Sequence, residues 1–139
     1  MRTHMNACFG YGAYFPSQKP DFELLARMDR QWRQIADHFV HGDFYPLTDY
    51  SLANDVWMAW QFDQPEISRG AVQVFRRAEN KQDRRNLVLR GLDSAARYEV
   101  VNLDGGKLTA EGKSLMSQGL AVELRGTPDS AIFTYQRIP

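Results

Sequence analysis

The sequence has one cysteine, no net charge and no long apolar run, and each absence excludes a class of protein. Cys8 has no partner for an intrachain disulfide, and it cannot form a cysteine zinc site. The 17 basic and 17 acidic residues balance, which argues against nucleic acid or an anionic membrane as a partner. No apolar run approaches the roughly 20 residues of a membrane span. The single cysteine fits a reducing compartment such as the cytoplasm, although many exported proteins also lack disulfides.

What remains is the composition of a folded domain. Hydrophobic residues make up 43% and aromatic residues 12% of the 139 residues, which is enough for a core without metals or disulfides. The length suits one domain, or a small domain joined to a fragment of another. Residues 1–8 have no signal-peptide pattern and read like the interior of a longer protein.

A helical pattern covers residues 22–40. Its apolar residues recur every three or four positions and share one face: Leu25, Met28, Trp32, Ile35 and Phe39. Asp21 can cap the first turn, and Gly42 can end the helix in a left-handed conformation. Because this apolar face must be buried, we expect it to pack against the chain's own sheet or a second copy. The aromatic and glycine-rich segment 9–16 predicts a short strand or a loop.

After Tyr50 the pattern changes to short strands. They are predicted at residues 56–62, 71–77, 87–89, 97–103, 107–109, 120–124 and 131–138. Turn residues separate them at 64–70, and Asp104-Gly105-Gly106 predicts a hairpin. The fold class is therefore mainly β, an antiparallel β-sandwich of six to eight strands with one amphipathic N-terminal helix. The change of pattern places a boundary near residue 45, dividing the chain into 1–45 and 46–139.

Six carboxylates lie near this boundary: Asp29, Asp43, Asp49, Asp55, Asp63 and Glu66. A glycosidase needs two carboxylates that face each other, roughly 5 to 10 Å apart. Sandwiches carry many such residues on loops, so loop capping and solvation account for these carboxylates better than a catalytic pair does. We therefore predict no catalytic residue in this chain.

His38 and His41, next to Asp37, are spaced as a metal-binding pair on a helix. The third histidine, His4, is distant in the sequence. We expect His38 and His41 to be surface residues that complement the helix dipole. No metal and no cofactor are predicted, and a small metal enzyme built on these histidines is a third hypothesis that metal retention would test.

Four aromatic residues follow the helix: Tyr45, Tyr50, Trp57 and Trp60. Flat apolar rings match the C–H side of a pyranose, so a sugar-stacking platform is one interpretation. Packing in a sandwich core or at a domain interface is the other. Trp57 and Trp60 point to opposite faces of a regular strand, so the two rings cannot share one side.

Several short segments occur in the order found in the C-terminal part of family-36-type α-galactosidases. They are Asp43-Phe44-Tyr45-Pro46-Leu47-Thr48, Trp57-Met58-Ala59-Trp60-Gln61-Phe62, Gly70, Phe75-Arg76-Arg77, Leu89-Arg90-Gly91-Leu92-Asp93, Tyr98-Glu99-Val100, Gly112 with Leu115, and Gly119-Leu120. The resemblance runs from about Asp21 to the end of the sequence. It implies a (β/α)₈ catalytic barrel followed by an all-β domain, with residues 1–45 similar to the end of the barrel.

On this resemblance the chain is the tail of a glycoside hydrolase. No segment matches the family's two catalytic aspartates, so no aspartate here inherits a catalytic role. The implied function is a non-catalytic accessory domain that stabilises the missing barrel, whose parent reaction is the hydrolysis of terminal α-galactosides. The alternative is a carbohydrate-binding sandwich module that uses Trp57 and Trp60, with Tyr45 as a further sugar contact.

Overall fold

The computed structural model of the chain describes residues 2–10 and 19–139. This part contains two α-helices, α1 (Phe22–His41) and α2 (Gly112–Ser117), and short 3₁₀ turns at Arg2–His4 and Pro65–Ile67. Its eight strands are β1 (Asp43–Pro46), β2 (Trp57–Gln64), β3 (Arg69–Arg76), β4 (Arg84–Leu87), β5 (Arg97–Asn102), β6 (Lys107–Glu111), β7 (Leu120–Glu123) and β8 (Asp129–Ile138). None of the described helices has the length and apolarity that a membrane crossing requires. The prediction for segment 9–16 falls mostly outside the described residues.

The strands form two antiparallel sheets. The large sheet has the order β1-β2-β3-β8-β5-β6, and β4 pairs with β7 in the small one. β8 therefore lies at the centre of the large sheet, between β3 and β5. The predicted fold class, a mainly β antiparallel sandwich with one long N-terminal helix, is confirmed.

Apolar side chains collect on both faces of the large sheet. The inner core, between the large sheet, the small sheet and α2, includes Trp57, Val72, Leu87, Leu120 and Phe133. The helix-side core, beneath α1, consists of Met5, Met28, Ile35, Ala71 and Ile132. Successive residues of a strand point to opposite faces, so each central strand supplies both cores.

α1 begins at the predicted cap, but its C-terminal end differs from the prediction. The Asp21 carboxylate accepts a hydrogen bond from the Leu24 backbone N–H at 2.9 Å. Gly42 is extended, with φ −89° and ψ 145°, so the predicted left-handed cap is wrong. Space explains the glycine instead, since a Cβ at Gly42 would lie 2.5 Å from the His38 carbonyl oxygen. The chain passes directly from α1 into β1.

The apolar face of α1 packs against the chain's own sheet, as predicted. Met28 and Ile35 are 3% and 0% exposed, and Trp32 is partly buried beside them. The most deeply buried line of the helix also includes Gln31 and His38, two polar residues outside the predicted apolar face. Burial of a large aliphatic side chain stabilises by roughly 1.5–3 kcal/mol, so this face attaches α1 firmly to β2 and β3.

Three elements differ from the sequence pattern. β1 has four residues and ends at Pro46, which is too short for an alternating pattern, yet it pairs with β2 along its length. α2 has only six residues, and its apolar content is too small to predict a helix. β4 spans Arg84–Leu87 instead of the predicted residues 87–89. The prediction missed its first three residues because they are exposed and carry no apolar signal.

Candidate functional site

Trp57, the first of the predicted sugar-contact residues, lies in the inner core. Its side chain is 2% exposed, and its indole N–H donates to the Gln82 carbonyl oxygen at 3.2 Å. A ring buried to this extent presents no face to a ligand. Its position agrees with the core-packing interpretation.

Trp60 lies on the opposite face of β2, where it is partly buried. Its ring packs on Phe75, with centroids 5.1 Å apart and a 36° angle between the planes, and its N–H donates to the Gln73 side-chain oxygen. Tyr45 is paired with Gln61 across β1 and β2, which places it on the same face as Trp57. The three predicted residues therefore do not form one platform, and only Trp60 and Tyr45 retain exposed surface.

A cleft of about 460 Å³ opens beside Trp60. Its floor contains Met58, Trp60 and Phe75. The rest of its lining is mostly polar or charged and includes Arg2, Asn54, Arg76, Arg77, Asp129 and Ser130. This volume lies in the range of small-ligand sites, about 300–1,000 Å³, and an apolar floor with a polar rim suits an amphipathic ligand. Trp60 is the one predicted site residue that lines this cleft.

A second cleft, of about 590 Å³, is lined by charged, polar and apolar residues, and Trp57 borders it. Its lining includes Asp49, Asp55, Glu79, Lys81 and Arg85. Two of the carboxylates considered from the sequence, Asp49 and Asp55, thus lie near one another and near basic groups. Among the described residues no cluster of three or more His, Cys, Asp or Glu could bind a metal ion.

A buried polar cluster lies at one end of the inner face. Tyr135, 2% exposed, donates its hydroxyl proton to the Asp63 carboxylate, and the Gln61 amide donates to the Tyr135 hydroxyl oxygen at 2.7 Å. Gln61 also bonds the backbone of Arg90, donating to its carbonyl at 2.7 Å and accepting from its N–H at 2.9 Å. Gly70 gives Tyr135 room, since a Cβ there would lie 2.1 Å from the hydroxyl oxygen.

This cluster changes the acidity of both titratable members. Burial raises the pKa of the Asp63 carboxyl, although the hydrogen bond from Tyr135 acts in the opposite direction. Burial and the neighbouring Asp63 raise the pKa of Tyr135 far above its usual range. The sequence signal for the cluster is the continuation of the inward alternation of β2 into Gln61 and Asp63. Its partner on β8 is 72 residues away and is not visible from the pattern.

His38 and His41 differ in environment although both lie in the last turn of α1. His41 is exposed and bonds Asp37, with its Nδ1 2.9 Å from Oδ1. His38 is 4% exposed, so the prediction that it is a surface residue is wrong. It lies on the line of Met28 and Ile35 that faces the sheet. Burial lowers the pKa of His38, and the positive charge of Arg69 lowers it further.

Large apolar side chains remain exposed on the outer side of α1 and on β1. Phe22 is 69%, Val40 61% and Phe44 58% exposed. Phe22 and Val40 are 18 positions apart, which is five full turns at 3.6 residues per turn, so they lie on the same side of α1. That side is opposite the one that packs on the sheet. We call these three residues the outer apolar surface.

The glycosyl hydrolase family 36 C-terminal domain matches residues 57–134, more than half of the chain. The chain belongs to this family. The match confirms the resemblance inferred from the ordered segments of the sequence. A comparison with curated proteins found no match.

Solved structures share the fold of this family 36 C-terminal domain. The GH36 α-galactosidase AgaA from Geobacillus stearothermophilus, in complex with stachyose, is 25% identical with a TM-score of 0.75, and the match covers 94% of this chain and 18% of that one. The α-galactosidase from Lactobacillus brevis is 16% identical with a TM-score of 0.74, with 94% and 18% covered. The galactosidase domain of the α-galactosidase-sucrose kinase AgaSK is 21% identical with a TM-score of 0.71, with 88% and 17% covered. The chain thus spans less than a fifth of the length of these proteins.

The structural likeness extends upstream of the family match at residues 57–134. A match over 94% of 139 residues omits about eight residues, whereas α1 alone has 20. Part of α1 therefore has a counterpart in AgaA.

Proposed function

We propose that this chain is the non-catalytic C-terminal accessory domain of an α-galactosidase-like glycoside hydrolase, and that it stabilises the catalytic barrel of that enzyme. Family membership over residues 57–134 supports the accessory assignment. The matched enzymes are more than five times as long, so the parent reaction, hydrolysis of terminal α-galactosides, belongs to the remainder of such an enzyme. In this proposal residues 1–45 continue the barrel and 46–139 form the sandwich.

The outer apolar surface is the observation that carries the docking proposal. Phe22, Val40 and Phe44 are each more than half exposed; Phe22 and Val40 lie on the side of α1 opposite the sheet, and Phe44 lies on β1 beside Phe62. Complete burial of such a side chain stabilises by roughly 1.5–3 kcal/mol. A catalytic barrel that continues upstream of α1 is the partner placed to bury them.

Two measurements test this function. The chain alone should not hydrolyse a nitrophenyl α-galactoside, and measurable turnover would contradict its non-catalytic character. A chimaera in which this chain replaces the matching C-terminal region of AgaA should unfold at a higher temperature than AgaA without that region. In the chimaera, Val40→Asp and Phe44→Asp should lower the melting temperature of the barrel. Val88→Asp, at a 45% exposed position outside the outer apolar surface, is the matched control and should not lower it.

A second candidate function is carbohydrate binding in the cleft beside Trp60. The partly exposed indole on the floor and the polar rim favour a pyranose ring, which has one apolar face and hydroxyl groups at its edge. Titration with galactose, raffinose or stachyose should give saturable heat at millimolar concentrations. Trp60→Ala should abolish this heat, whereas Tyr50→Ala, at an 80% exposed position outside the cleft, should not. Equal behaviour of the two variants, or no saturable binding, would reject this function.

A further inference from the structure

His38 is a buried histidine with an unsatisfied ring nitrogen. The side chain is 4% exposed, and its Nδ1 has no hydrogen-bond partner among residues 2–10 and 19–139. Leaving such a buried group without a partner costs about 1–3 kcal/mol, and a buried charge without a partner costs more. The neutral ring is tolerated beneath α1, but the protonated ring requires an anion or water.

The charged groups around His38 come from every element that packs near it. On α1, Asp37 is the nearest carboxylate, and its Oδ2 already accepts from Gln64 Nε2 at 3.0 Å and from Arg69 Nη2 at 2.8 Å. Its other oxygen, Oδ1, bonds His41. The contribution of β3 is the cation Arg69, which repels a protonated His38. On β5, Glu99 is 2.8 Å from the ammonium group of Lys107. The carboxylates near His38 are thus already engaged.

An open cleft borders His38. A cleft of about 240 Å³ separates this part of α1 from β8 and β5. Its lining includes Gln34, His38, Arg69, Glu99, Thr134 and Gln136. His38 borders this cleft but is only 4% exposed with the helix docked, so displacement of α1 would widen the cleft and hydrate the imidazole.

We propose that His38 is a pH-sensitive latch, so that protonation of its ring releases the C-terminal half of α1 from the sheet. With the helix docked, the neutral ring packs beneath it. With the helix released, the imidazolium is hydrated and lies farther from the positive charge of Arg69 on β3. The outer apolar surface includes Val40, two residues after His38, so release also disrupts the proposed docking of the barrel, a consequence that rests on the proposed function.

The direction of the pH dependence follows from the His38 environment. Burial and Arg69 lower the pKa of His38 in the docked state, while Gln64 and Asp37 oppose this only in part. In an undocked helix the pKa returns towards about 6.5. At pH values between the docked and the undocked pKa of His38, the undocked state binds more protons than the docked state. Docking of α1 therefore weakens as the pH falls below about 6.5. Above that pH His38 is neutral and α1 stays docked on the sheet.

Hydrogen exchange tests the latch. Exchange of α1 amides is measured between pH 7.5 and 5.0 and divided by that of β3 amides, which removes the intrinsic pH effect. In the wild-type chain the relative protection of α1 should fall as the pH falls below about 6.5, by at most tenfold per pH unit for one proton. His38→Gln, which cannot be protonated, should remove this fall. His41→Gln, three residues away on the same helix and exposed, should retain it.

The outcomes separate the latch from other effects. Relative protection that stays constant down to pH 5.0, or a fall that persists in His38→Gln, would overturn the proposal. If His38→Gln does not fold, an NMR titration of the wild-type imidazoles decides, with His38 assigned by comparison with His4→Gln and His41→Gln. A His38 pKa at or above about 6.5 would then overturn it. The test needs no barrel, so it can succeed even if the AgaA chimaera shows that the proposed docking is wrong.

Discussion

The two faces of the large sheet are covered in different ways. On the inner face the small sheet and α2 bury mainly apolar side chains, with polar groups only towards the ends of the strands. On the other face, α1 covers a small apolar core that is interspersed with buried polar side chains, namely Gln31, His38, Gln64 and Gln73. The inner face therefore depends mainly on apolar burial, with the Gln61–Asp63–Tyr135 hydrogen-bond cluster at one end, whereas α1 is attached through a smaller apolar core and more buried polar side chains. Changes of condition should affect the helix before they affect the sandwich.

The largest effect is expected from a cavity in the inner core. Leu120, 1% exposed on β7, packs between the two sheets. Leu120→Ala should lower the free energy of unfolding by about 3 kcal/mol, within the 2–5 kcal/mol range of buried leucines. Urea denaturation followed by circular dichroism and fluorescence should show one coincident transition. Ile35→Ala, the matched change beneath α1, should reduce hydrogen-exchange protection more in α1 than in β3, and equal losses in both would contradict the contrast between the faces.

Removal of one hydroxyl group should have the next largest effect. Tyr135→Phe leaves both the Asp63 carboxylate and the Gln61 amide without their buried partner. Unsatisfied buried groups of this kind cost about 1–3 kcal/mol, so we expect a loss of about 2 kcal/mol in urea denaturation. The same change at the 80% exposed Tyr50 should have no effect. If the two variants are equally stable, the cluster does not stabilise the inner face.

The cap of α1 should contribute less. Asp21→Ala removes the acceptor of the Leu24 N–H and should lower the free energy of unfolding by about 1 kcal/mol. Asp21→Ser, which retains a capping oxygen, should recover most of this loss. The difference between the variants should appear in the exchange of the first turn of α1 and not in β3. A loss spread evenly over both regions would show that α1 and the sheet unfold as one unit.

The smallest effect is expected for Asp63→Asn, which retains an oxygen to accept the Tyr135 hydrogen bond. Because burial raises the pKa of Asp63, the folded state binds a proton more readily than the unfolded state, whose pKa is about 3.9. Asp63 therefore makes the wild type less stable as the pH rises from about 4 through its folded pKa. Asp63→Asn should remove this decrease. Urea midpoints of both proteins between pH 3.5 and 6 give the difference, and a constant difference would contradict the raised pKa.

Local patterns predicted α1, the hairpins and the sandwich because each depends on neighbours in the sequence. The Asp104-Gly105-Gly106 turn joins β5 and β6 as predicted, and residues 65–68, within the predicted turn 64–70, connect β2 to β3. The buried face of α1 was predicted only in its apolar part. Gln31 is buried because its amide donates to the Leu103 carbonyl at 3.1 Å and to Asp104 at 3.0 Å, 72 and 73 residues away.

The candidate site was less predictable than the fold. The alternation of β2 separates Trp57 from Trp60, but which ring is buried depends on what covers each face. The small sheet and α2 cover the side of Trp57, and the described part of the chain leaves Trp60 at the edge of a cleft. His38 shows the same difficulty, since a helix-terminal histidine is ordinarily exposed and only the packing of α1 on β3 buries it.

The central place of β8 has a consequence for biosynthesis. β1 to β3 and the β5–β6 hairpin can each form from nearby residues, but they join only when the ten residues Asp129–Ile138 pair with both β3 and β5. A nascent or truncated chain that lacks Asp129–Ile138 presents two unpaired inner edges, which are templates for aggregation. Completion of this one strand therefore separates a chain that chaperones and proteases must still handle from one that has a continuous sheet.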